Sequence, residues 1–80
     1  MKLEIRTPEK KIFEGTVTSV KVPGSKGAFM VLENHAPIIS TLSPGYIEYS
    51  SHETGKQSVT ISGGVIEVKR NSITILAENI

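Results

Sequence analysis

Val22-Pro23-Gly24-Ser25-Lys26-Gly27-Ala28-Phe29-Met30-Val31-Leu32-Glu33-Asn34-His35-Ala36-Pro37 holds the most apolar short segment of the chain between two turn signals. Pro23 fixes φ, Gly24 admits a positive value and Gly27 repeats the permission, so the chain is expected to reverse here. Ala28 to Leu32 is then apolar at every position. So short a run between turns fits a strand covered on both faces, or a rim strand offering one face to another protein. Phe29 and Met30 are neighbours, so on a strand they point to opposite sides and cannot share one core. Pro37 ends the segment by keeping Ala36 out of the helical region and withholding a donor, which leaves a polar loop at Asn34-His35. Loops held on a rigid sheet are where small β domains carry their contacts.

Outward from this stretch the strand period recurs. Lys2-Leu3-Glu4-Ile5-Arg6-Thr7 alternates polar and apolar until Pro8, as a half-buried strand does. Thr16 to Val22 is β-branched almost throughout. Its alternation slips between Val17 and Val20, which predicts a bulge or a strand that changes sheets. Ile38 to Leu42 reads as a short strand, Ser43-Pro44-Gly45 as a type II turn, and Tyr46 to Tyr49 with Gln57 to Ser62 as the arms of a hairpin. Gly63-Gly64 interrupts a strand pattern that resumes at Val65, marking a sharp bend or the close approach of another backbone. Ile73 to Ala77 is the last strand. The result is about eight short strands with frequent turns, the spacing of an all-β sandwich or barrel. No segment carries a helical period, and residues 1–80 read as a single domain.

Composition narrows the function. A domain of 80 residues buries only about 60% of its unfolded surface, so help from a partner is expected. There is no cysteine to form a disulfide or thiolate zinc site, and His35 and His52 fall in different turns without a carboxylate pattern, so no metal is expected. Without cysteine or aspartate, and with no serine elbow beside either histidine, no catalytic residue is expected. Gly24-Ser25-Lys26-Gly27 lacks the spacing of a phosphate loop and reads as a plain turn, and no cofactor is expected. With a net charge of +1, dispersed cations and only four aromatics (Phe13, Phe29, Tyr46, Tyr49), the chain does not fit a nucleic-acid binder. Nor does any stretch approach the ~20 apolar residues that cross a bilayer, so direct membrane insertion is not expected. The chain opens on a strand rather than a targeting peptide, which suggests a protein that is cytosolic or encoded inside its compartment.

Several turns taken together resemble one family. Val22-Pro23-Gly24-Ser25-x-Gly27, His35-Ala36-Pro37-Ile38, Pro44-Gly45, Ser62-Gly63-Gly64-Val65-x-Glu67-Val68 and Ile73-Thr74-Ile75-Leu76-Ala77 resemble, in order and spacing, the epsilon subunit of F-type ATP synthase, called delta in mitochondria. The resemblance implies a ten-stranded flattened β-sandwich, so that with the eight strands read above roughly eight to ten short, mostly antiparallel strands are expected. It further implies a non-catalytic place in the rotary central stalk, at the cytoplasmic face of the bacterial inner membrane. There the sandwich would bind the gamma subunit and rest on the c-ring, transmitting proton-driven rotation to ATP synthesis.

Carried onto this sequence, the expected partner contacts are Ala28, Met30, Glu33, Asn34, His35, Ala36, Pro37, Ser43, Pro44, Gly45, Gly63 and Gly64. Many family members have glutamate and glycine where this chain has Ala28 and Met30. Most also continue into a helical pair that inhibits hydrolysis; here the sequence stops at Ile80, and neither inhibitory switch nor nucleotide site is expected in this polypeptide. His35→Ala, or a bulky residue at Gly64, is expected to weaken gamma binding while leaving the melt within a few degrees. Self-association of the isolated domain through exposed apolar surface is a further expectation. The alternative is a covalent carrier of the biotinyl or lipoyl type, with Lys26 or Lys56 as its modified lysine, although neither has the methionine or acidic neighbours such a lysine shows.

Overall fold

The computed structural model describes residues 1–78 and holds nine strands: β1 (Lys2–Arg6), β2 (Lys11–Thr16), β3 (Ser19–Val22), β4 (Phe29–Leu32), β5 (Ile38–Leu42), β6 (Gly45–Ser51), β7 (Gly55–Ile61), β8 (Gly64–Lys69) and β9 (Ser72–Ala77). They form a five-stranded sheet of order β2-β1-β9-β8-β5 and a four-stranded sheet of order β4-β3-β6-β7. All pairings are antiparallel except that of β1 with β9, which run side by side in the same direction. The sheets stack into a body of 27 × 24 × 18 Å, the flattened sandwich expected.

Alternation sorts the side chains. In the five-stranded sheet Ile5, Ile75 and Ile66 lie in one cross-strand row and Leu3, Ile73 and Val68 in the next, all facing inward and buried. Val20, Val22, Val31, Ile47, Tyr49 and Ile61 meet them from the other sheet. Each such side chain contributes about 1.5–3 kcal/mol by leaving water. Phe13 and Tyr49, from opposite sheets, meet with ring centroids 4.5 Å apart, a separation at which aromatic pairs add specific attraction.

The slip in the Thr16–Val22 pattern is a change of sheet. Val17 exchanges backbone hydrogen bonds with Met1, at 2.8 and 3.2 Å, on the five-stranded side. The next amide, Thr18, donates to Ser50 of the other sheet at 2.8 Å. The chain therefore passes between layers within one residue, and the single strand expected from Thr16 to Val22 becomes two. β2 also runs on through Gly15, where a side chain would meet the Phe13 ring at 2.9 Å; the ring lies over the glycine.

The glycines of the central stretch work differently from the expectation. Gly24 and Gly45 do not have the positive φ that Gly27 has (131°), so neither Pro23-Gly24 nor Pro44-Gly45 is a type II turn. A Cβ at Gly24 would stand 2.6 Å from the Gly27 carbonyl oxygen, and one at Gly45 would stand 3.1 Å from Pro23 Cβ. Close packing, rather than backbone freedom, leaves no room for a side chain at Gly24 and little at Gly45. Here the layers are stitched together: Ser25 N donates to Thr41 O at 2.9 Å, Ser43 N to Pro23 O at 2.8 Å, and Gly24 bridges to Leu42.

Candidate functional site

β4 is the rim strand of its sheet. Phe29 and Val31 turn toward the core, while Met30 and Leu32 stay 50% and 53% exposed on the outer face. The rim-strand reading of Ala28 to Leu32 thus holds, and Met30 is the residue of its pair that faces out. Exposed Ala28 precedes the strand, and the exposed Glu33 and Asn34 follow it.

From there the chain crosses to the other sheet through Asn34-His35-Ala36-Pro37. Asn34 sits at φ 67°, a left-handed conformation that asparagine tolerates better than most residues. His35 is half-buried; its amide donates to Leu32 O at 3.1 Å and its Nδ1 lies 2.7 Å from Ala36 O. Because a carbonyl only accepts, Nδ1 carries the proton in the neutral ring and Nε2 is left as the acceptor. The imidazole therefore caps its own loop. A second segment completes this end: Asn71, itself at φ 54°, accepts the Asn34 amide on Oδ1 at 3.3 Å. Asn34, His35, Ala36, Pro37, Arg70 and Asn71 enclose a cleft of about 300 Å³.

The remaining expected contacts lie elsewhere. β5 carries the chain from Pro37 at one end of the sandwich to Ser43-Pro44-Gly45 at the other. There Leu42 pairs with Gly64 and Gly45 with Ile61, so the 43–45 turn and the 63–64 bend are neighbours. Pro44 is exposed, but Gly63 is buried and the Gly64 backbone is packed against Leu76 and Ala77. The bend and the close backbone approach are both real, and the approaching backbone is the domain's own. The candidate residues thus form two groups: Glu33 to Pro37 at one end, and Ser43 to Gly45 with Gly63-Gly64 at the other.

Surface features that sequence reasoning missed flank both groups. Ile39 is 70% exposed on β5, and Leu76 and Val65 lie on the outer face of the five-stranded sheet beside a shallow apolar hollow that Pro8, Thr41 and Glu78 help to line. An adjacent Ile38-Ile39 pair signals that one isoleucine faces out. Arg70-Asn71-Ser72 reads from the sequence as the last turn, and the structure has a turn there, but nothing local marks it as a contact. Among the described residues no group of three His, Cys, Asp or Glu side chains could hold a metal, and no helix is long and apolar enough to cross a membrane.

Residues 1–80 match the sequence model of the ATP synthase delta/epsilon chain β-sandwich domain. The chain belongs to the ATP synthase delta/epsilon family. Among relatives, the ATP synthase epsilon chain of Leptospira interrogans is 42% identical over 79 residues, covering 99% of this chain and 61% of that one. That of Nitratiruptor is 46% identical over 78 residues, with 98% and 60% covered. The epsilon chain of Chlorobium limicola is 39% identical, and there the match covers 90% of the relative. The chain therefore spans about three-fifths of the length of the Leptospira and Nitratiruptor proteins and nearly all of the Chlorobium one. In fold, it superposes on a chain of the Tetrahymena thermophila mitochondrial ATP synthase central stalk and c-ring with a TM-score of 0.79, at 19% identity over 99% of this chain and 63% of that chain. A chain of the Euglena gracilis mitochondrial ATP synthase gives 0.86, at 23% identity over 94% and 48%. The carrier alternative finds no support: this is an epsilon-type sandwich, and Lys56 lies within β7, 4.0 Å from Glu48, rather than at a hairpin tip.

Proposed function

We propose that this epsilon-type domain is a non-catalytic rotor part of a proton-translocating F-type ATP synthase, joining the gamma subunit to the c-ring and passing rotation between them. One observation carries the reading: the two groups of candidate residues lie at opposite ends of β5 on one packed sandwich. A part that transmits torque must touch two bodies and not deform between them, and interdigitated β layers meet the second need. The epsilon chains it resembles come from bacteria, which supports a peripheral position at the cytoplasmic face of the inner membrane.

In this reading the Glu33–Pro37 end, with Met30 along the rim, meets gamma, and the Pro44 end, which Ala28 adjoins beside Pro23 and Tyr46, meets the ring. Interfaces of this kind bury on the order of 1,600 Å² and depend on a few central residues. The test is the affinity of gamma for the domain and for His35→Ala. A loss of about tenfold is expected, with a melt within a few degrees of wild type, because among the described residues the ring hydrogen-bonds only within its own loop. Undiminished affinity would remove His35 from the contact.

A further inference from the structure

We propose that the cleft between the Asn34–Pro37 loop and the Arg70-Asn71 turn receives a carboxylate side chain of the gamma subunit. This rests on the reading above and adds the chemistry of the contact. The two cleft walls are distant in sequence and are brought together because Ile38 pairs with Val68 as β5 and β8 begin and end there.

Two side-chain donors line the cleft, Arg70 and Asn71. Arg70 is exposed, and no carboxylate lies within ion-pair distance of it among the described residues, whereas its neighbours Lys69 and Lys2 are engaged with Glu67 at 3.9 Å and Glu14 at 3.3 Å. Glu33, the acidic residue of the facing loop, makes no ion pair with it. Asn71 spends Oδ1 on the Asn34 amide, and its Nδ2 has no partner among the described residues. His35 holds its proton toward Ala36 O, so the neutral ring adds an acceptor and the donors of the cleft are Arg70 and Asn71. A planar guanidinium fork beside an amide donor is the geometry that takes a carboxylate through paired hydrogen bonds.

The shape is also fixed in advance. The only non-glycine residues with positive φ among those described, Asn34 and Asn71, both line this cleft. Residues in sparsely populated conformations gather where surrounding structure holds them for a purpose. An ion pair left in water would be worth little; covered by gamma, the same pair is desolvated and discriminates strongly between partners.

The test measures the affinity of gamma for wild type, Arg70→Ala and Arg70→Lys from low to high salt, with c-ring binding as a separate arm. Arg70→Ala should bind gamma about tenfold more weakly at low salt, with the gap closing as salt rises, while Arg70→Lys recovers only part of the loss because it lacks the fork. Ring binding should be unchanged, and the melts should agree within about 2 °C, since Arg70 is an exposed turn residue. If Arg70→Ala matches wild type in gamma affinity and salt response, or if the ring rather than gamma is lost, the carboxylate contact is wrong and the coupling reading stands. A wild-type domain that binds gamma at no salt concentration overturns both.

Discussion

A Cβ on Gly64 would overlap the backbone carbonyl oxygen of Leu76 on the adjacent strand and lie 3.0 Å from Ala77 Cα. The obstacle is backbone at the centre of a sheet, not a side-chain tip that could swing away, and φ at Gly64 is +155°. Gly64→Ala should therefore cost about 2–4 kcal/mol and lower the melting temperature by more than about 10 °C. This reverses the expectation that a larger residue there would spare the fold and weaken only partner binding. A melt within about 2 °C of wild type would show that the β8–β9 spacing relaxes freely.

Ile75 is fully buried between Ile5 and Ile66 in the central row of the five-stranded sheet. Ile75→Ala should cost about 2–5 kcal/mol and Ile75→Val about 0.5–1.5 kcal/mol, read as shifts of the urea midpoint at constant slope. A domain this size has about 4–12 kcal/mol in total, so the alanine variant should be partly unfolded near body temperature.

Burial pushes the Tyr49 phenol above its ordinary pKa. Its folded-state pKa is thus higher than the unfolded one, because the folded state favours the neutral hydroxyl. The resulting stabilisation is complete below the unfolded value, about 10, and is lost as pH rises through the folded value. Tyr49→Phe should flatten this alkaline decline, as measured by urea unfolding at several pH values. It also deletes the long 3.4 Å hydrogen bond to Gln57, so the variant is compared with itself across pH.

Glu14 titrates low because Lys11 Nζ hydrogen-bonds to it at 2.7 Å, with Lys2 Nζ at 3.3 Å. Here the folded pKa lies below the unfolded one. The contribution is present above the unfolded value and disappears as pH falls through the folded value. All three groups are solvent-exposed, so the effect should be small and should vanish in high salt. Glu14→Gln with and without added salt, compared below and above pH ~4, checks both sign and screening.

β4 and β5 are each a rim strand of their sheet, with Met30 and Ile39 exposed on them, and neither strand contains a charged residue. β2 and β7, the opposite rims of the two sheets, carry Lys11, Glu14 and Lys56. Uncharged rims are templates for pairing with another chain. The isolated domain should associate as its concentration rises, and Ile39→Lys should suppress this without moving the melt by more than about 3 °C. Sedimentation velocity over a concentration series is the measurement; a wild type that stays monomeric throughout would count against it.

Period-two alternation made most strands legible, and one fault in it, between Val17 and Val20, located a passage between sheets that the Val17–Met1 and Thr18–Ser50 hydrogen bonds realise. Gly63-Gly64 was readable for the same reason, since paired glycines in a strand pattern have few uses. Gly24 and Gly45 misled because what a side chain would meet there is packing rather than a forbidden φ: at Gly24 the Gly27 carbonyl of its own turn and the Phe29 ring, and at Gly45 the Pro23 Cβ of a segment that only the tertiary fold brings near. The Arg70 cleft was harder to read: it exists through the β5–β8 register, and its Arg70-Asn71 wall carries no motif. The family resemblance pointed to His35 and its loop, but not to the cationic wall opposite.

β9 lies between β1 and β8, so β1 is held in its sheet by a strand some seventy residues further along the chain. Until Ser72–Ala77 has been made, the β1–β2 hairpin has no sheet partner on its other side. The five-stranded layer can therefore close only once β9 is present, at the slow pace of folds ruled by distant contacts. A nascent chain halted before Ser72 would be a substrate for chaperones rather than a closed sandwich.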